Sequence, residues 1–569
     1  MRTVLFLFFL LASAKCFSQV FETPAYPKGY FRNPLNIPIS LSGNFGELRS
    51  NHYHMGLDLR TNRVENLPVH AAAEGYIARI KIEPGGFGRA IYINHPNGYT
   101  TLYAHLNAFF PALDRYVKQR QYELESWNVS LELTPDLFPV KKGDFLAYSG
   151  NTGGSQAPHL HFEIRRTADE VNVNPMLFGF PLSDNTTPNI LRLAVYDRTI
   201  SVYEQSPKLV AVKKSGKNFI TSPAVITVGA PKVSLAIGAF DTHSGSSNAN
   251  GIFEAVLYEQ EQPVVGFRMD GISYNDTRYL NAHIDYRTKT LGGPYLQHLS
   301  ALPGFVAPLY KSVNGNGVLD LSDEAVHSIR IVVKDAYGNA SVLETKLRYD
   351  PSYARQASRA PGKLFYPMMV DGYESPEAEF FFGETCLYDS VHVRYSQTVT
   401  PIAGIVSATH VIGAAHIPLH APMLVRIRPS RVLTPAEKER TVMLRVTGLR
   451  KEVQKVEWNN DWATARFRDF GSFQLVVDQE PPVIVPVGFA DGSNLSKASR
   501  IVFTVRDNNT SFKNVRAELD GKWLRFTNDK GRNFIYTFDE KCTAGNHELT
   551  IRAQDEAGNV TTQTFRFTR

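Results

Sequence analysis

The chain has 569 residues, 43% hydrophobic and 20% charged, an ordinary globular composition in a chain too long to bury around one core. Its 40 glycines, 33 prolines and 11% aromatic content predict a loop-rich, mostly β protein of several domains. A net charge of +6 favours an anionic surface such as a cell wall, whereas the lack of any Lys/Arg run gives no ground for nucleic-acid binding.

Arg2, the apolar run over residues 4–14 and the small residues after it predict a secretory signal peptide over residues 1–19. Cys16 follows that run, but Lys15 stands where a lipidation site needs a small residue, so lipidation is not expected. No later apolar stretch is long enough to span a membrane, and the mature protein is expected to be exported to the periplasm, envelope or medium. Cys386 and Cys542 are far apart and are expected to be two unpaired buried thiols.

A first domain is expected over residues 24–185. Residues 21–40 are a Pro-rich, extended lead-in. His54 and Asp58 stand four apart, a spacing that shares a face on a helix or a strand. Gly56 and the strand-like residues 57–60 argue against the helix. Short strands and turns follow to residue 106, with a hairpin turn at 96–98. A glycine-rich loop at 151–155 then delivers the chain to Pro158-His159-Leu160-His161-Phe162-Glu163. Leu160, Phe162 and Ile164 alternate with His159, His161 and Glu163, which predicts a strand with both imidazoles on one face. Two such histidines make half of a metal or proton-transfer site.

The segments His54-Met55-Gly56-Leu57-Asp58, Tyr103-Ala104-His105-Leu106, Gly150-Asn151-Thr152-Gly153 and Pro158 to Glu163 together resemble the lysostaphin-type (LytM-type) zinc metallopeptidases, which cleave peptidoglycan cross-bridges or cross-links. The resemblance covers about residues 42–175. It implies a small antiparallel β-sheet with its site in a groove, zinc (Zn2+) bound by His54, Asp58 and His161, and His105 and His159 as the two catalytic histidines that do not bind metal. An N, O, N ligand set leaves a fourth position open, as catalytic zinc requires. The two remaining histidines would share proton transfer and charge stabilisation. His70 and His95 are assigned no role, and His52 shares the parity of His54 and can line the groove. Residues 107–139 are an insertion relative to the family. Pro111 can open a helix there, with Leu113, Tyr116, Val117 and Leu124 at helical spacing. Arg115, Lys118 and Arg120 are expected to be mostly solvated. The helix either decorates the sheet or forms a rim of the groove.

Beyond a linker at 184–188 the chain reads as β throughout, with β-sandwich domains expected over 188–352, 360–478 and 482–569 and an inserted segment at 274–318 in the first of them. The stretch from His327 to Asn339 echoes that from His547 to Asn559. Each is a strand with an Asp-x-x-Gly-Asn turn, which resembles the closing hairpin of bacterial immunoglobulin-like domains. Asp241 and His243, and the set His410, His416 and His420, match no metal-ligand spacing and are expected to be exposed loop residues.

The reading is an exported zinc metalloendopeptidase acting on peptidoglycan, with β-sandwich domains that can engage envelope protein partners. A non-enzymatic wall-binding or regulatory module is the alternative from another class; the complete ligand set speaks against it. A lytic protease acting on Gly-rich protein differs only in substrate. Cover of the groove by the lead-in or the C-terminal domains is a further possibility.

Overall fold

The computed structural model describes residues 20–22, 25–244, 246–354, 360–399, 404–509 and 512–569. The expected signal peptide and Cys16 lie outside the described residues. No helix among the described residues is long and apolar enough to cross a membrane.

The first unit is built on an antiparallel sheet in the order Leu41–Gly43, Leu57–Arg60, His159–Arg166, Tyr99–Ala104, Arg89–Asn94, Gly75–Ile82, Val129–Glu132. A three-stranded sheet of Pro68–His70, Phe145–Ser149 and Leu106–Phe109 packs with it. The strand His159–Arg166 sits centrally, paired on one side with Leu57–Arg60 and on the other with Tyr99–Ala104. Its odd and even positions divide as the alternation requires. Leu160, Phe162 and Ile164 are fully buried in the main core of this unit, while His159, His161 and Glu163 share the opposite face. The lead-in belongs to this core as well, with Phe31 and Leu35 buried and Tyr26 stacked on Phe178 at 4.6 Å.

The insertion forms the helix Pro111–Glu123 with proline in its first turn, where a missing N–H costs nothing. Leu113 and Val117 are buried and Tyr116 packs beside them. Leu124 departs from the expectation: it lies just past the helix and is half exposed.

A second unit follows from Asn189 to Tyr349, an 11-stranded sheet in which Asn218–Val228 runs parallel to Ala340–Tyr349. The segment 274–318 carries the short helices Leu280–His283 and Tyr286–Thr290. Phe45, Tyr53 and Met55 of the first unit are buried in the core of this second one. At about 2 kcal/mol for each large apolar side chain removed from water, these three alone fasten the two units firmly. Asn172 and Ile272 add a pair of backbone hydrogen bonds across the junction at 3.0 and 2.9 Å.

Residues from Lys363 to Val477 form a third unit whose main sheets have five strands each, and residues from Val483 to Thr568 a fourth with sheets of three and five strands. The echo in sequence is an echo in structure. Asp335 Oδ1 accepts the Asn339 N–H at 2.8 Å, and Asp555 Oδ1 accepts the Asn559 N–H at 2.7 Å. In each hairpin the asparagine side chain also donates to the backbone carbonyl of an upstream aspartate, Asp184 in one and Asp478 in the other. Cys386 and Cys542 are buried and unpaired, as expected.

Three expectations of exposure are corrected. Asp241 and His243 are buried, and His410 is fully buried in a strand beside Tyr395 Oη; His416 and His420 are half-buried. Strand alternation accounts for His410 in the strand Thr409–Ile412, whereas Asp241 and His243 lie past a strand end, where sequence spacing carries no information about burial.

Candidate active site

His161 lies directly opposite Asp58 across one strand pair and opposite Ala104 across the other. This register places the imidazole and the carboxylate on one face. His54 comes from the loop just before Leu57–Arg60, and Gly56 allows that loop to close over the strand: a Cβ there would stand 2.4 Å from the Phe162 carbonyl and 3.1 Å from His161 Cε1. The result is a triangle of donor atoms. His54 Nε2 lies 3.0 Å from Asp58 Oδ1 and 3.0 Å from His161 Nδ1, and His161 Nδ1 lies 2.9 Å from Asp58 Oδ1. Two imidazole nitrogens and one carboxylate oxygen, all buried and all turned to one point, are the donor set and spacing that a tetrahedral zinc accepts. By donor type and spacing the residues present fit the implied metal.

Each corner is fixed from behind. His54 Nδ1 is held by the Asn44 carbonyl at 2.8 Å, Asp58 Oδ2 by Arg49 at 2.5 Å and His161 Nε2 by Glu163 Oε1 at 2.9 Å. Glu163 is itself fully buried, and its other oxygen accepts from Arg165 at 2.6 Å and Asn172 at 2.8 Å. Tyr274 of the second unit donates to Glu163 Oε1 at 2.5 Å. Such partners fix the tautomer and the aim of a ligating imidazole.

The charges follow from these neighbours. Burial pushes His54 down to about 4, so its ring is neutral. Burial also opposes charge on His161, but the hydrogen bonds and charges of Asp58 and Glu163 outweigh it and hold the ring up at about 9. Burial works against the Asp58 charge too, yet His54, His159 and His161 around it keep the carboxyl well below its ordinary range.

His105 and His159 stand beside the triangle, with ring centroids 4.8 Å apart and His105 5.9 Å from His161. His105 sits at the bend between two strands with φ of +60°, a left-handed conformation that costs a non-glycine residue about 1 kcal/mol or more. Its N–H bond to the Phe87 carbonyl and its Nδ1 bond to the Thr152 carbonyl, both 2.9 Å, hold it there. Burial and the neighbouring His161 and His159 push His105 down to about 3, so the ring is uncharged and Nδ1 carries its proton. His159 has an oxygen near each ring nitrogen, Ala157 O at 2.8 Å and Asp58 Oδ1 at 3.3 Å.

All five residues open onto one groove of about 1280 Å³, whose walls include His52, Arg49, Phe87, Arg165 and Tyr274. His52 therefore lines the groove, as its parity allowed. The insertion reaches it only through Ser130 and Glu132, and the helix Pro111–Glu123 does not line it. The outer side of that helix meets the fourth unit instead. Lys118 bonds Asp539 at 2.7 Å and Glu540 at 3.0 Å, which corrects the expectation that it is solvated.

The sequence reading placed Glu163 on the face of His159 and His161 but gave it no role. Asn44 and Arg49 carried no signal beyond proximity, and Tyr274, more than one hundred residues downstream of Glu163, carried none.

Residues 52–122 and 137–175 match the family described as peptidase family M23, residues 363–478 a Zu5-like domain, and residues 487–568 a bacterial Ig-like domain. The chain is similar to the DD-carboxypeptidase/endopeptidase Mpg of Neisseria meningitidis, 33% identical over 133 residues that make up 23% of this chain and 24% of that protein. It is also similar to the peptidoglycan DD-endopeptidase ShyB of Vibrio cholerae, 25% identical over 159 residues, 27% of this chain and 31% of that protein. The match thus spans 24% and 31% of the length of these two relatives. Among solved structures it is similar to the catalytic domain of the antimicrobial peptidase lysostaphin from Staphylococcus simulans, with 24% identity, 25% of this chain and 92% of that one covered, and a TM-score of 0.19. The first unit, with its histidine and aspartate cluster, is an M23 peptidase domain of the LytM type, and a bacterial Ig-like domain closes the described chain.

Proposed function

We propose that this protein is an exported zinc metalloendopeptidase that hydrolyses peptide bonds in peptidoglycan stem peptides or cross-links. The observation that carries the reading is the triangle of His54 Nε2, Asp58 Oδ1 and His161 Nδ1, with 2.9–3.0 Å sides, set beside two further histidines in an open groove. His54, Asp58 and His161 would hold the zinc. Zinc with three protein ligands supplies Lewis acidity, acidifying water and polarising a carbonyl.

The chain's own residues do the rest. The uncharged His105 ring, with its Nδ1 proton committed to Thr152, can take a proton at Nε2. His159 sits beside Asp58, where an N–H can be donated to a leaving amine or to charge developing on a carbonyl oxygen. Phe87 and Tyr274 supply apolar wall, and charges of both signs line the rest of the groove, with Arg49 and Arg165 set among Glu83, Glu132 and Glu170. The relatives named for peptidoglycan and for DD-endopeptidase activity support the substrate class, and the predicted signal peptide supports export to the envelope.

The test is a digest of purified peptidoglycan by the full mature chain, with and without a zinc chelator and with His161→Ala alongside, read by mass spectrometry. New amine termini that vanish with chelator and variant are expected. A folded, zinc-loaded chain that releases none would overturn the peptidoglycan reading.

A further inference from the structure

A second buried cluster lies outside the groove. Asp184, in the linker after the M23 domain, meets Asp241 and His243, which follow the strand Lys232–Phe240; a donor atom from each lies within 4.8 Å of the others. All three residues are at least nine-tenths buried. His243 Nδ1 is 3.1 Å from Asp184 Oδ2, but His243 Nε2 and Asp241 Oδ1 have no hydrogen-bond partner. Burying an unpartnered carboxylate oxygen and an unpartnered imidazole nitrogen costs several kcal/mol unless something pairs with them. The charges that bear most on Asp241 are two more carboxylates, Asp335 and Asp184, which compound that cost.

The fourth unit provides an internal comparison. There Asp478, Asp507 and Asp555 recur in the same frame, with Asn559 tied to Asp478 as Asn339 is tied to Asp184. Asn509, two residues after Asp507, takes the offset at which His243 follows Asp241, and its amide donates to Asp478 Oδ2 at 2.6 Å. Asn508 donates to the other oxygen at 3.2 Å. In both copies the side chain at that offset bonds the upstream aspartate and the middle aspartate keeps an unpartnered Oδ1; what the first copy adds is the imidazole, with a second ring nitrogen, Nε2, that has no partner.

We propose that Asp184, Asp241 and His243 bind a second divalent cation, of the zinc or manganese type that a mixed carboxylate and imidazole set prefers. The ion ties the interdomain linker to the loop that follows the strand Lys232–Phe240. That loop reaches the active site. Asp241 and Asn250 bridge through their backbones at 2.9 and 2.8 Å, Asn248 donates to the Ser42 carbonyl at 3.1 Å, and Gly251 exchanges two hydrogen bonds with the Asn44 side chain at 2.8 and 2.9 Å. Asn44 O in turn holds His54 Nδ1. The second ion is thus a clamp whose residue Asp241 lies three hydrogen-bonded contacts from His54, and the three residues that hold it are positioning residues.

The test counts metal in the full chain, stripped with chelator and dialysed against zinc(II), with manganese(II) as a second arm. The wild-type chain should hold two equivalents. The Asp58→Asn/His161→Ala chain should keep one, and addition of Asp241→Asn or, separately, His243→Ala should remove it. Zinc should raise the thermal midpoint of the double variant and leave that of the triple variants unmoved. A folded Asp58→Asn/His161→Ala chain that holds neither metal would overturn the proposal, as would a count that Asp241→Asn and His243→Ala leave unchanged. Failure of the groove site alone would read differently: one equivalent in the wild type, insensitive to Asp58→Asn/His161→Ala and lost with Asp241→Asn.

Discussion

Tyr274 Oη donates to Glu163 Oε1 at 2.5 Å, and the same oxygen holds His161 Nε2 at 2.9 Å. A residue of the second unit therefore sets the support of a histidine in the M23 domain. The tyrosine ring also lies 4.9 Å beneath the Arg165 guanidinium, so it contacts both members of the Glu163–Arg165 ion pair behind His161. Together with the bonds between Gly251 and Asn44, this makes the site a product of two units.

Tyr274→Phe removes one hydroxyl and leaves the ring in place. Loss of a partner behind a ligating histidine typically costs 10- to 100-fold in metal affinity or activity. Zinc affinity by chelator competition is expected to fall by about that range, with the thermal midpoint of the metal-free chain little changed. Equal affinity in wild type and variant would show that Glu163 is held well enough by Arg165 and Asn172 alone.

The five histidine and aspartate positions should separate into two classes. His54→Ala, His161→Ala and Asp58→Asn should lose both the groove metal and peptidoglycan cleavage, because each removes a corner of the donor triangle. His105→Ala and His159→Ala should keep the metal and lose about 10²- to 10⁴-fold in kcat, the usual worth of positioned proton transfer. Metal content and turnover measured on the same samples make the division visible. A His105→Ala chain that loses its metal would move that residue into the first class.

The strand face carrying His159 and His161 was legible because a period of two is a local property of the chain. The alternating residues Leu160, Phe162 and Ile164 announced it, and Pro111 announced the helix of the insertion. What that helix docks against was not legible. Lys118 reads as an ordinary solvated lysine until Asp539, more than four hundred residues away, is brought beside it. Tyr274 and Asp184 were hidden for the same reason: one supports the groove and the other completes a buried cluster through tertiary contacts that leave no spacing in the sequence. The paired Asp-x-x-Gly-Asn turns were visible as a repeat, but their ties to Asp184 and Asp478 appear only in the fold.

Stability should fall on mild acidification. His283 and His298 are fully buried in the second unit, and burial pushes both down to about 3. Their folded values lie below the unfolded value of about 6.5, so below that pH the unfolded chain binds more protons. Their contribution is whole above pH 6.5 and is lost as pH falls toward 3, at up to about 1.4 kcal/mol per pH unit for each group. Urea unfolding followed from pH 7.5 to 5.0 should show the loss, and His298→Phe should flatten it. An identical slope in the variant would assign the acid sensitivity to other groups.

The fourth unit braces the catalytic loop. Asp529 Oδ1 accepts the Gly153 N–H at 2.8 Å, and Lys530 Nζ donates to the Ser155 carbonyl at 2.6 Å. The groups that hold the two histidines adjoin those contacts: Thr152 O, in the same peptide group as the Gly153 N–H, on His105 Nδ1, and Ser155 Oγ, 3.2 Å from His159 Nδ1. The docking itself spreads over the helix Pro111–Glu123 and the residues just after it. Arg516 pairs with Glu125 at 2.7 Å, and Tyr122 packs edge-on against Trp523 with Lys541 over its ring. Exposed ion pairs of this kind are worth under about 1 kcal/mol each, so the aromatic contact and the loop bonds carry more of the interface than the charges do. Asp529→Ala combined with Lys530→Ala should therefore leave the metal count intact, lower kcat several-fold and make residues 150–157 more accessible to protease. Lys118→Glu alone should do little. If the double variant keeps both its turnover and its protease resistance, the contact is a resting place for the fourth unit and His105 and His159 are held by the M23 domain itself.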